Sequence, residues 1–463
     1  MGNFWDYSVW SWVLLFGVLL GSLLVGNMLK KGIPLLRGSL IPTSVLGGGV
    51  LLIVAAIFKA VTGQVMFDTE IFNGKGTENL EIITYHTLAL GFIASSFKTT
   101  GEKLTKKRAN EILNTGVTTV ATYLLQAFVG LGITMIAALV MKDFFVAAGV
   151  LLPFGYGQGT GQALNYGSIY EADFGFAGGK SFGLTIAALG FLSASIGGVI
   201  HLNIMKKKGR IVISKRSDGS LHSEKIDSDL EIPMQESVDK MTIQMALIFV
   251  AYILAFLIMK ALGMLLPSMQ SVIYGFNFLI GVLTATLIKL FLNFLRKKSI
   301  VQKKYTNNFL MTRVSNFFFD IMVVAGVAAI RLDILEDYWG IILILGVVGA
   351  VITYVYNRMV AKALFRDYAE EQFLMMYGML TGTASTGIIL LREIDKDFKT
   401  PASDNMVYQN FPAIVLGFPI MLLATVAPKR PALCCIVFVA FFVVLNVLLF
   451  RAKIFRKKTK TQI

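Results

Sequence analysis

The sequence predicts an all-α polytopic membrane protein with two inverted-topology repeats, each of five transmembrane helices and a re-entrant hairpin, plus one extra C-terminal transmembrane helix. Three observations predict this fold class. The 463 residues are 55% hydrophobic with a mean hydropathy of +0.69, and only 15% are charged, which is more apolar surface than a soluble protein can bury. Basic residues cluster in short loops beside apolar runs, and each half contains one apolar stretch interrupted by small residues.

The first half, residues 1–208, is expected to contain five spans, at about residues 9–28, 41–58, 82–97, 112–141 and 182–205, with a re-entrant hairpin at about 144–170. Span one lacks a basic leader and a clear cleavage site, so it is expected to be a retained span and not a signal peptide. Lys30 and Lys31 follow it, whereas the preceding tail carries only Asp6. The positive-inside rule therefore predicts an N-terminus outside the cell membrane.

The second half is expected to repeat the first in the opposite orientation. Residues 209–240 are hydrophilic and are predicted to form a cytoplasmic linker. Residues 241–427 contain predicted spans at about 241–262, 271–295, 309–330, 339–360 and 408–426, with a second hairpin at about 372–391. Residues 428–463 add a span at about 434–450 and a basic tail, which predicts a C-terminus inside.

Composition also disfavours several classes of protein. The net charge of +15 comes from loops beside apolar spans, where basic side chains meet the lipid bilayer, so no nucleic-acid partner is expected. Cys434 and Cys435 are adjacent in an apolar run, and His86, His201 and His222 share no ligand spacing. No disulfide framework, transition-metal site or paired nucleophile and base is discernible. We therefore expect neither an enzyme nor a bound cofactor.

The two interrupted stretches are the candidate functional segments. Residues 151–162 have a glycine at every second position from Gly155 to Gly161, and each glycine costs a helix about 1 kcal/mol relative to alanine. This pattern predicts irregular backbone, which within a bilayer must line a cavity or be buried in protein. Residues 378–387 form a second small, hydroxylated stretch. Two broken apolar segments in corresponding halves indicate a transporter binding site.

Because hairpins entering from opposite faces can meet near the midplane, we expect their tips to form one site. Neutral donors and acceptors for a substrate are expected from Gln158, Thr160, Gln162, Thr381, Thr383, Ser385 and Thr386. Half-helix N-termini favour a carboxylate, and unpaired carbonyl groups favour Na⁺, the only metal ion expected, as coupling ion. The expected cation-binding residues are Gly157, Gly159, Gly161, Gly382, Asn316 and Asp320. The alternative is that the small residues only allow close packing.

Asp320 is the most unusual residue of the predicted spans, because it is a carboxylate that lies near mid-membrane in span eight. Such a carboxylate costs several kcal/mol unless it has a partner, and it usually faces a pathway. Arg313, Asn316 and Asp320 share one helix face. For Asp320 the alternative is a salt bridge to another span, whereas Arg313 is expected to reach lipid headgroups.

The sequence gives less support to two other functions of the glycine-rich run, phosphate binding and ion conduction. The spacing of a phosphate-binding loop is absent. Residues 155–157, Gly-Tyr-Gly, are similar to a potassium-channel filter, but Pro153 and Phe154 stand where that filter needs Thr-Val. The remaining alternative is a channel, or an uncoupled or H⁺-coupled carrier, for another small organic anion.

At these motifs the chain resembles the bacterial sodium/glutamate symporters. Residues 41–48, Ile-Pro-Thr-Ser-Val-Leu-Gly-Gly, are similar to the family's Ile-Pro-x-Pro-Val-x-Gly-Gly. Residues 157–161, Gly-Gln-Gly-Thr-Gly, resemble its first-hairpin Gly-His-Gly-Thr-Gly, and residues 382–386 sit where its second Gly-Ala-Thr-Pro-Thr lies. The resemblance covers spans one to ten. It implies inverted halves, hairpins crossing near the midplane, and Na⁺-coupled symport of glutamate or a related small carboxylate or amino acid into the cell.

The chain also departs from that pattern. Ser44 replaces a proline, Gln158 replaces a histidine, and the second hairpin has Ser385 near the place of its proline. Asp320 stands where an uncharged residue is expected, and the eleventh span is additional. The resemblance therefore supports the fold more strongly than the substrate. A homodimer is compatible with the sequence.

Overall fold

The computed structural model describes residues 3–34, 36, 41–98, 105–209, 238–395 and 399–451, and these residues contain no strand. The helices are α1 (Tyr7–Gly32), α2 (Thr43–Thr62), α3 (Gly76–Ser96), α4 (Lys106–Val140), α5 (Leu151–Gln158), α6 (Thr160–Phe174), α7 (Gly179–Lys207), α8 (Lys240–Leu265), α9 (Gln270–Gly275), α10 (Asn277–Lys297), α11 (Asn308–Ala328), α12 (Trp339–Leu364), α13 (Ala369–Thr381), α14 (Ala384–Arg392), α15 (Ala402–Tyr408), α16 (Asn410–Val426) and α17 (Pro431–Leu449). Short 3₁₀ helices precede α3, α5, α9, α12 and α13.

Nine of the helices described are long and apolar enough to cross a membrane, and a tenth span results if α15 and α16, bent by 53°, are taken together. The nine correspond to predicted spans one, two, four to nine, and eleven. The bent pair corresponds to span ten. The prediction of a polytopic all-α membrane protein is therefore confirmed.

Span three is α3, which does not reach the apolarity of the other spans. Its first half contains Glu78, Glu81 and His86, and its threonines Thr84 and Thr87 are buried. Both threonine hydroxyls donate to carbonyl groups one turn earlier, at 2.8 Å and 2.6 Å, so they are satisfied within the helix. The helix is surrounded by protein: it packs along α11 over the most extensive helix–helix contact of the fold, and also against α10.

The glycine-rich run was expected to be irregular, and this expectation is wrong for most of it. Residues Leu151–Gln158 form the regular helix α5, and the chain breaks only at Gly159. Tight packing explains the difference, because a Cβ at Gly155 would lie 2.9 Å from the backbone nitrogen of Ala187 in α7, and a Cβ at Gly161 2.7 Å from the Leu88 side chain. Contacts of this closeness offset the poor helix propensity of glycine.

Two other boundaries differ from those expected. Span seven is divided by a break at Phe276 into the short helix α9 and the long helix α10. Residues 239–240 of the predicted linker already belong to the start of α8, because the Asp239 carboxylate caps this helix by accepting from the backbone nitrogens of Met241 and Thr242. Most of the linker, residues 210–237, and the tail, residues 452–463, lie outside the residues described.

Both hairpins are enclosed by long helices. The first, α5 and α6, packs against α4 and α7, and the second, α13 and α14, packs against α7 and α12. Buried tyrosine hydroxyls tie the first hairpin to the second half of the chain: Tyr156 donates to the Gly346 carbonyl (2.6 Å), Tyr166 to that of Met421 (2.9 Å), and Tyr170 to that of Ala424 (2.8 Å). The hairpins are therefore part of the protein core.

Candidate functional site

The first hairpin turns at a single residue. Gly159 ends α5 and precedes α6, with φ 79° and ψ −171°. This combination is essentially restricted to glycine, because a Cβ would clash with the local backbone. The break places the C-terminus of α5 and the N-terminus of α6 side by side, so that unpaired carbonyl and N–H groups arise at one place.

The second hairpin breaks at Gly382 and Thr383, between α13 and α14. The Thr383 hydroxyl caps α14 by accepting from the backbone nitrogen of Thr386 at 3.4 Å. Hairpin closure depends on small residues, since a Cβ at Gly378 would lie 2.8 Å from the Cα of Gly387. As in the first hairpin, a half-helix N-terminus with free N–H groups lies at the break.

The two breaks touch each other. A Cβ at Gly159 would lie 3.5 Å from Cγ2 of Thr383 and 3.8 Å from the carbonyl oxygen of Gly382. Residues more than 200 positions apart in the chain therefore meet, as expected for two hairpin tips that form one site.

A cavity of about 160 Å³ opens at this meeting point. Both hairpin tips line it, together with one face each of α3, α4, α10, α11 and α16. Its polar lining consists of Ser95, Tyr123, Gln158, Gln162, Thr383, Gln409 and Asn410, and its apolar lining includes Leu88, Phe92, Phe278, Leu279, Phe319, Met322, Met379, Ile414 and Met421. Among the described residues that line it there is no lysine, arginine, histidine, aspartate or glutamate.

Three of the seven predicted substrate residues line this cavity, namely Gln158, Gln162 and Thr383. Thr160 instead points at α11, where its hydroxyl lies 3.4 Å from the Met322 carbonyl oxygen. The Thr381 hydroxyl donates to the Tyr377 carbonyl at 2.6 Å. Thr386 is buried next to Thr383, with the two hydroxyl oxygens 3.3 Å apart. The side chain of Ser385 lies outside the part of the chain described.

The residues predicted to bind a cation are divided in space. Gly157 and Gly382 line the cavity, and Gly159 lies at the contact between the breaks, whereas Gly161 packs against Leu88. Asn316 and Asp320 are exposed and do not line the cavity. Asp320 instead lies beside the Ser44 hydroxyl, in the first turn of α2. The structure thus does not bring Asp320 to the hairpin tips.

Sequence reasoning missed several lining residues. The Tyr123 hydroxyl donates to the Gly157 carbonyl at 3.1 Å and thereby takes up one of the carbonyl groups at the end of α5. Gln409 and Asn410 come from the bend between α15 and α16. A polar pair before an apolar run is a signal for such a bend, but only the fold shows that the bend faces the hairpins.

Gln126 joins the second hairpin to its surroundings. Its amide nitrogen donates to the Leu380 carbonyl near the end of α13 (3.0 Å) and to the Thr353 hydroxyl of α12 (2.8 Å). Because Leu380 is two residues before the break, this buried contact fixes the position of the hairpin tip relative to α4 and α12.

The fold and this cavity define the class as a polytopic, all-α membrane protein with two broken segments that meet in its interior. Comparison with protein-family models finds no family that matches the chain, and comparison with curated proteins finds no matching relative.

Proposed function

We propose that the protein is a secondary active transporter that couples entry of Na⁺ to uptake of glutamate or a related small carboxylate or amino acid. The single observation that carries this proposal is the contact between the two helix breaks at a shared internal cavity. Broken helices that meet inside a membrane protein are the usual architecture of ion-coupled binding sites in transporters.

The chemistry of the breaks supports coupling of an anionic group to a cation. The N-terminus of α14 offers unpaired N–H groups and the positive end of a helix dipole to a carboxylate. Carbonyl groups at the breaks, including that of Gly382, are the neutral oxygen ligands that suit Na⁺. Both kinds of group occur at one place only because the breaks touch.

Helix packing supports the inverted repeat that we propose as the architecture. The pair α1–α2 of the first half has a counterpart in α8–α10, and the pair α4–α5 has a counterpart in α12–α13. Helices α3 and α11, which would correspond to each other, pack together, as expected for elements near a pseudo-two-fold axis.

The proposal is tested with purified protein in proteoliposomes. An inward Na⁺ gradient should drive accumulation of labelled glutamate, with aspartate, citrate and neutral amino acids as competitors, and replacing Na⁺ by K⁺ should abolish it. Gln158→Ala should raise apparent KM by the equivalent of about 1–3 kcal/mol, because a polar partner of the solute is lost. Thr312→Val, which removes a hydroxyl that donates within the first turn of α11, is the matched control and should leave KM unchanged.

Three outcomes would change the proposal. Solute flux that follows only its own gradient would favour a channel or an uncoupled carrier. Accumulation driven by a pH gradient without Na⁺ would favour H⁺ coupling. If glutamate neither enters nor competes while another solute is accumulated with Na⁺, transport stands and the solute named here is wrong.

A further inference from the structure

Three neighbouring aromatic rings form part of the cavity lining, here called the apolar end. The ring centroid of Phe92 lies 5.3 Å from that of Phe278 and 5.3 Å from that of Phe319. These rings come from α3, α10 and α11, and Met322 and Met379 add flexible, polarisable surface beside them. Such a surface binds an aliphatic or aromatic group, and it offers nothing to a charged one.

The polar residues of the lining, here called the polar end, include two buried amides that each lack one partner among the residues described. Gln162 is 1% exposed; its oxygen accepts from Asn165, 3.4 Å away, and its nitrogen Nε2 has no partner among the residues described. Asn165 is itself oriented by donating to the Gly275 carbonyl at 2.5 Å. This bond fixes which atom of Gln162 is the unpaired donor.

Gln409 supplies the complementary atom. It is 2% exposed, and its nitrogen lies 3.1 Å from the Asn410 side-chain oxygen and 3.6 Å from the Met379 sulfur. Its oxygen Oε1 has no partner among the residues described. A buried polar atom without a partner is costly. Because Gln162 and Gln409 both line the cavity, a ligand that carries both an acceptor and a donor would supply the two missing partners.

The charge of the lining side chains restricts the possible classes of ligand further. None of the lining side chains that the structure describes is charged, and an isolated charge buried without a counter-charge is strongly disfavoured. A zwitterion meets this condition because its two charges lie close together and compensate each other. The second carboxylate of glutamate or aspartate would have no partner in this lining, so within the proposed class of small carboxylates and amino acids the lining favours an apolar amino acid over glutamate.

Size gives the last constraint. The cavity measures about 160 Å³, and an engineered apolar cavity of about 150 Å³ holds one benzene molecule. Because this volume has to hold the whole ligand and not its side chain alone, it limits the ligand to a single small molecule such as one amino acid and leaves no room for a peptide.

We infer that the ligand of this cavity is an α-amino acid with an apolar side chain. Its carboxylate is received by Nε2 of Gln162 and the N-terminus of α14, its ammonium group by Oε1 of Gln409, and its side chain by the rings of Phe92, Phe278 and Phe319. This inference rests on the proposed transport function, because it takes the cavity to be the solute site.

The test is equilibrium binding of labelled leucine and labelled phenylalanine to purified protein in lipid nanodiscs, in NaCl. Unlabelled leucine and phenylalanine should compete. Glutamate and aspartate should compete at least about tenfold more weakly, because their second carboxylate finds no partner. Two leucine analogues should be weakened to the same extent because each lacks one group that the polar end binds: 4-methylpentanoate lacks the ammonium group, and 3-methylbutylamine lacks the carboxylate.

Variants test the assigned residues. Gln162→Met and Gln409→Met each remove an amide at similar length and should weaken leucine binding about tenfold or more. Gln244→Met is the matched control: Gln244 is a fully buried glutamine in α8 that donates to the Tyr305 carbonyl, away from the cavity. It should leave the affinity for leucine unchanged. Phe278→Leu enlarges the apolar end and should shift the preference from leucine towards phenylalanine.

The ligand class inferred here and the proposed symport can be disproved independently of each other. Selective binding of leucine and phenylalanine without Na⁺-driven uptake would overturn the proposed symport and leave the ligand class standing. Na⁺-driven glutamate uptake that leucine and phenylalanine do not inhibit would overturn the ligand class and leave the symport standing. Absence of leucine and phenylalanine binding, or equal binding by Gln162→Met, Gln409→Met and the unmodified protein, would also overturn the inference.

Discussion

Gly159 is the residue on which the geometry of the site depends most directly. Its φ of 79° and ψ of −171° suit glycine alone, although a Cβ there would make only ordinary contacts of 3.5 Å or more. We expect Gly159→Ala to abolish transport and to destabilise the protein by about 1–3 kcal/mol, through backbone strain. Transport assays and thermal unfolding of the purified variant measure the two effects.

The matched control for this change is Gly132→Ala. Gly132 lies within α4, with no atom near the position of its Cβ, so alanine should be neutral or slightly stabilising. Normal transport by Gly159→Ala would show that the break tolerates another backbone conformation and does not need glycine.

Asp320 has a structural explanation that the sequence did not reveal. It lies beside the Ser44 hydroxyl, in the first turn of α2, which donates a hydrogen bond to the carboxylate. Because asparagine keeps an acceptor oxygen beside Ser44 and removes the charge, we expect Asp320→Asn to leave both the free energy of unfolding and the apparent affinity for Na⁺ unchanged. Na⁺-dependent uptake and thermal unfolding measure these two quantities. A fall in Na⁺ affinity would restore the cation-binding role expected from its depth in the membrane.

The residues at the site show what a sequence can and cannot reveal. Gln158, Gln162 and Thr383 were identified because polar side chains at a helix break have few structural uses. Thr160 and Thr381 occupy the same kind of position, but their hydroxyls face neighbouring backbone. The Thr160 hydroxyl is directed by the packing of its helix against α11, and the Thr381 hydroxyl bonds to a carbonyl group of its own helix; the sequence pattern specifies neither orientation.

At the scale of elements, a buried ionic cluster anchors the second hairpin. Glu370, at the start of α13, forms a bidentate ion pair with Arg358 of α12 and lies 3.1 Å from Nε2 of His201 in α7. Arg358 is only 9% exposed. Glu370→Gln would leave this guanidinium without a counter-charge, so we expect a loss of about 3 kcal/mol in the free energy of unfolding.

Asp367 provides the matched comparison for Glu370. It pairs with Lys107 at 3.3 Å, but both side chains are largely exposed, and such pairs contribute little. Asp367→Asn should therefore leave the thermal unfolding temperature unchanged. Equal unfolding temperatures for Glu370→Gln and Asp367→Asn would exclude the anchoring role.

A second ionic contact joins α2 to the turn before α12. Asp333 lies 2.6 Å from Nζ of Lys59 and 3.1 Å from the Arg331 guanidinium. Partial burial raises the pKa of Asp333, but the hydrogen bonds from Arg331 and Lys59 outweigh it and lower this pKa to about 2. Because the unfolded value is about 3.9, the stabilisation is present above about pH 4 and is lost as the pH falls towards 2.

Asp333→Asn should thus destabilise the protein by about 1 kcal/mol at pH 7, a value reduced for solvent screening. The difference from the unmodified protein should shrink on acidification below pH 4. Chemical unfolding at several pH values measures it, with the exposed Asp337→Asn as control. A difference that stays constant down to pH 2.5 would contradict the ion-pair explanation.

Element boundaries were predictable where one physical signal dominated. Apolar runs with basic ends located nine helices of spanning length among the residues described. The glycine pattern located the first hairpin but not its helix α5, because packing against Tyr123, Ile186 and Ala187 is a tertiary effect. The break at Phe276 follows a single glycine, Gly275, and one isolated glycine within an apolar run does not locate a break.

At the scale of the whole molecule, charged residues mark two opposite ends. At one end, Lys59 pairs with Asp333, and Glu81 of α3 pairs with Lys180 at 2.8 Å. At the other end, Lys289 donates to the Ser96 carbonyl at 2.6 Å, and Arg108 pairs with Asp404 at 3.7 Å. The first end carries the acidic loops, whereas the second carries most of the basic residues that flank the helices, such as Lys206 and Arg296.

This asymmetry predicts the orientation in the cell membrane. Basic flanks remain on the cytoplasmic side, so we expect the N-terminus outside and both the linker around residue 220 and the C-terminus inside. The measurement is single-cysteine labelling of intact cells with a reagent that does not cross membranes, in a variant with Cys434 and Cys435 replaced by alanine. Ser220→Cys should react only after the cells are opened, whereas Glu70→Cys, exposed in the loop before α3, should react in intact cells.

The two halves of an inverted repeat need an odd number of crossings each. Three of the five expected spans separate Glu70 from Ser220, so labelling of both Glu70→Cys and Ser220→Cys from outside would rule out five spans in the first half, and with them the inverted repeat.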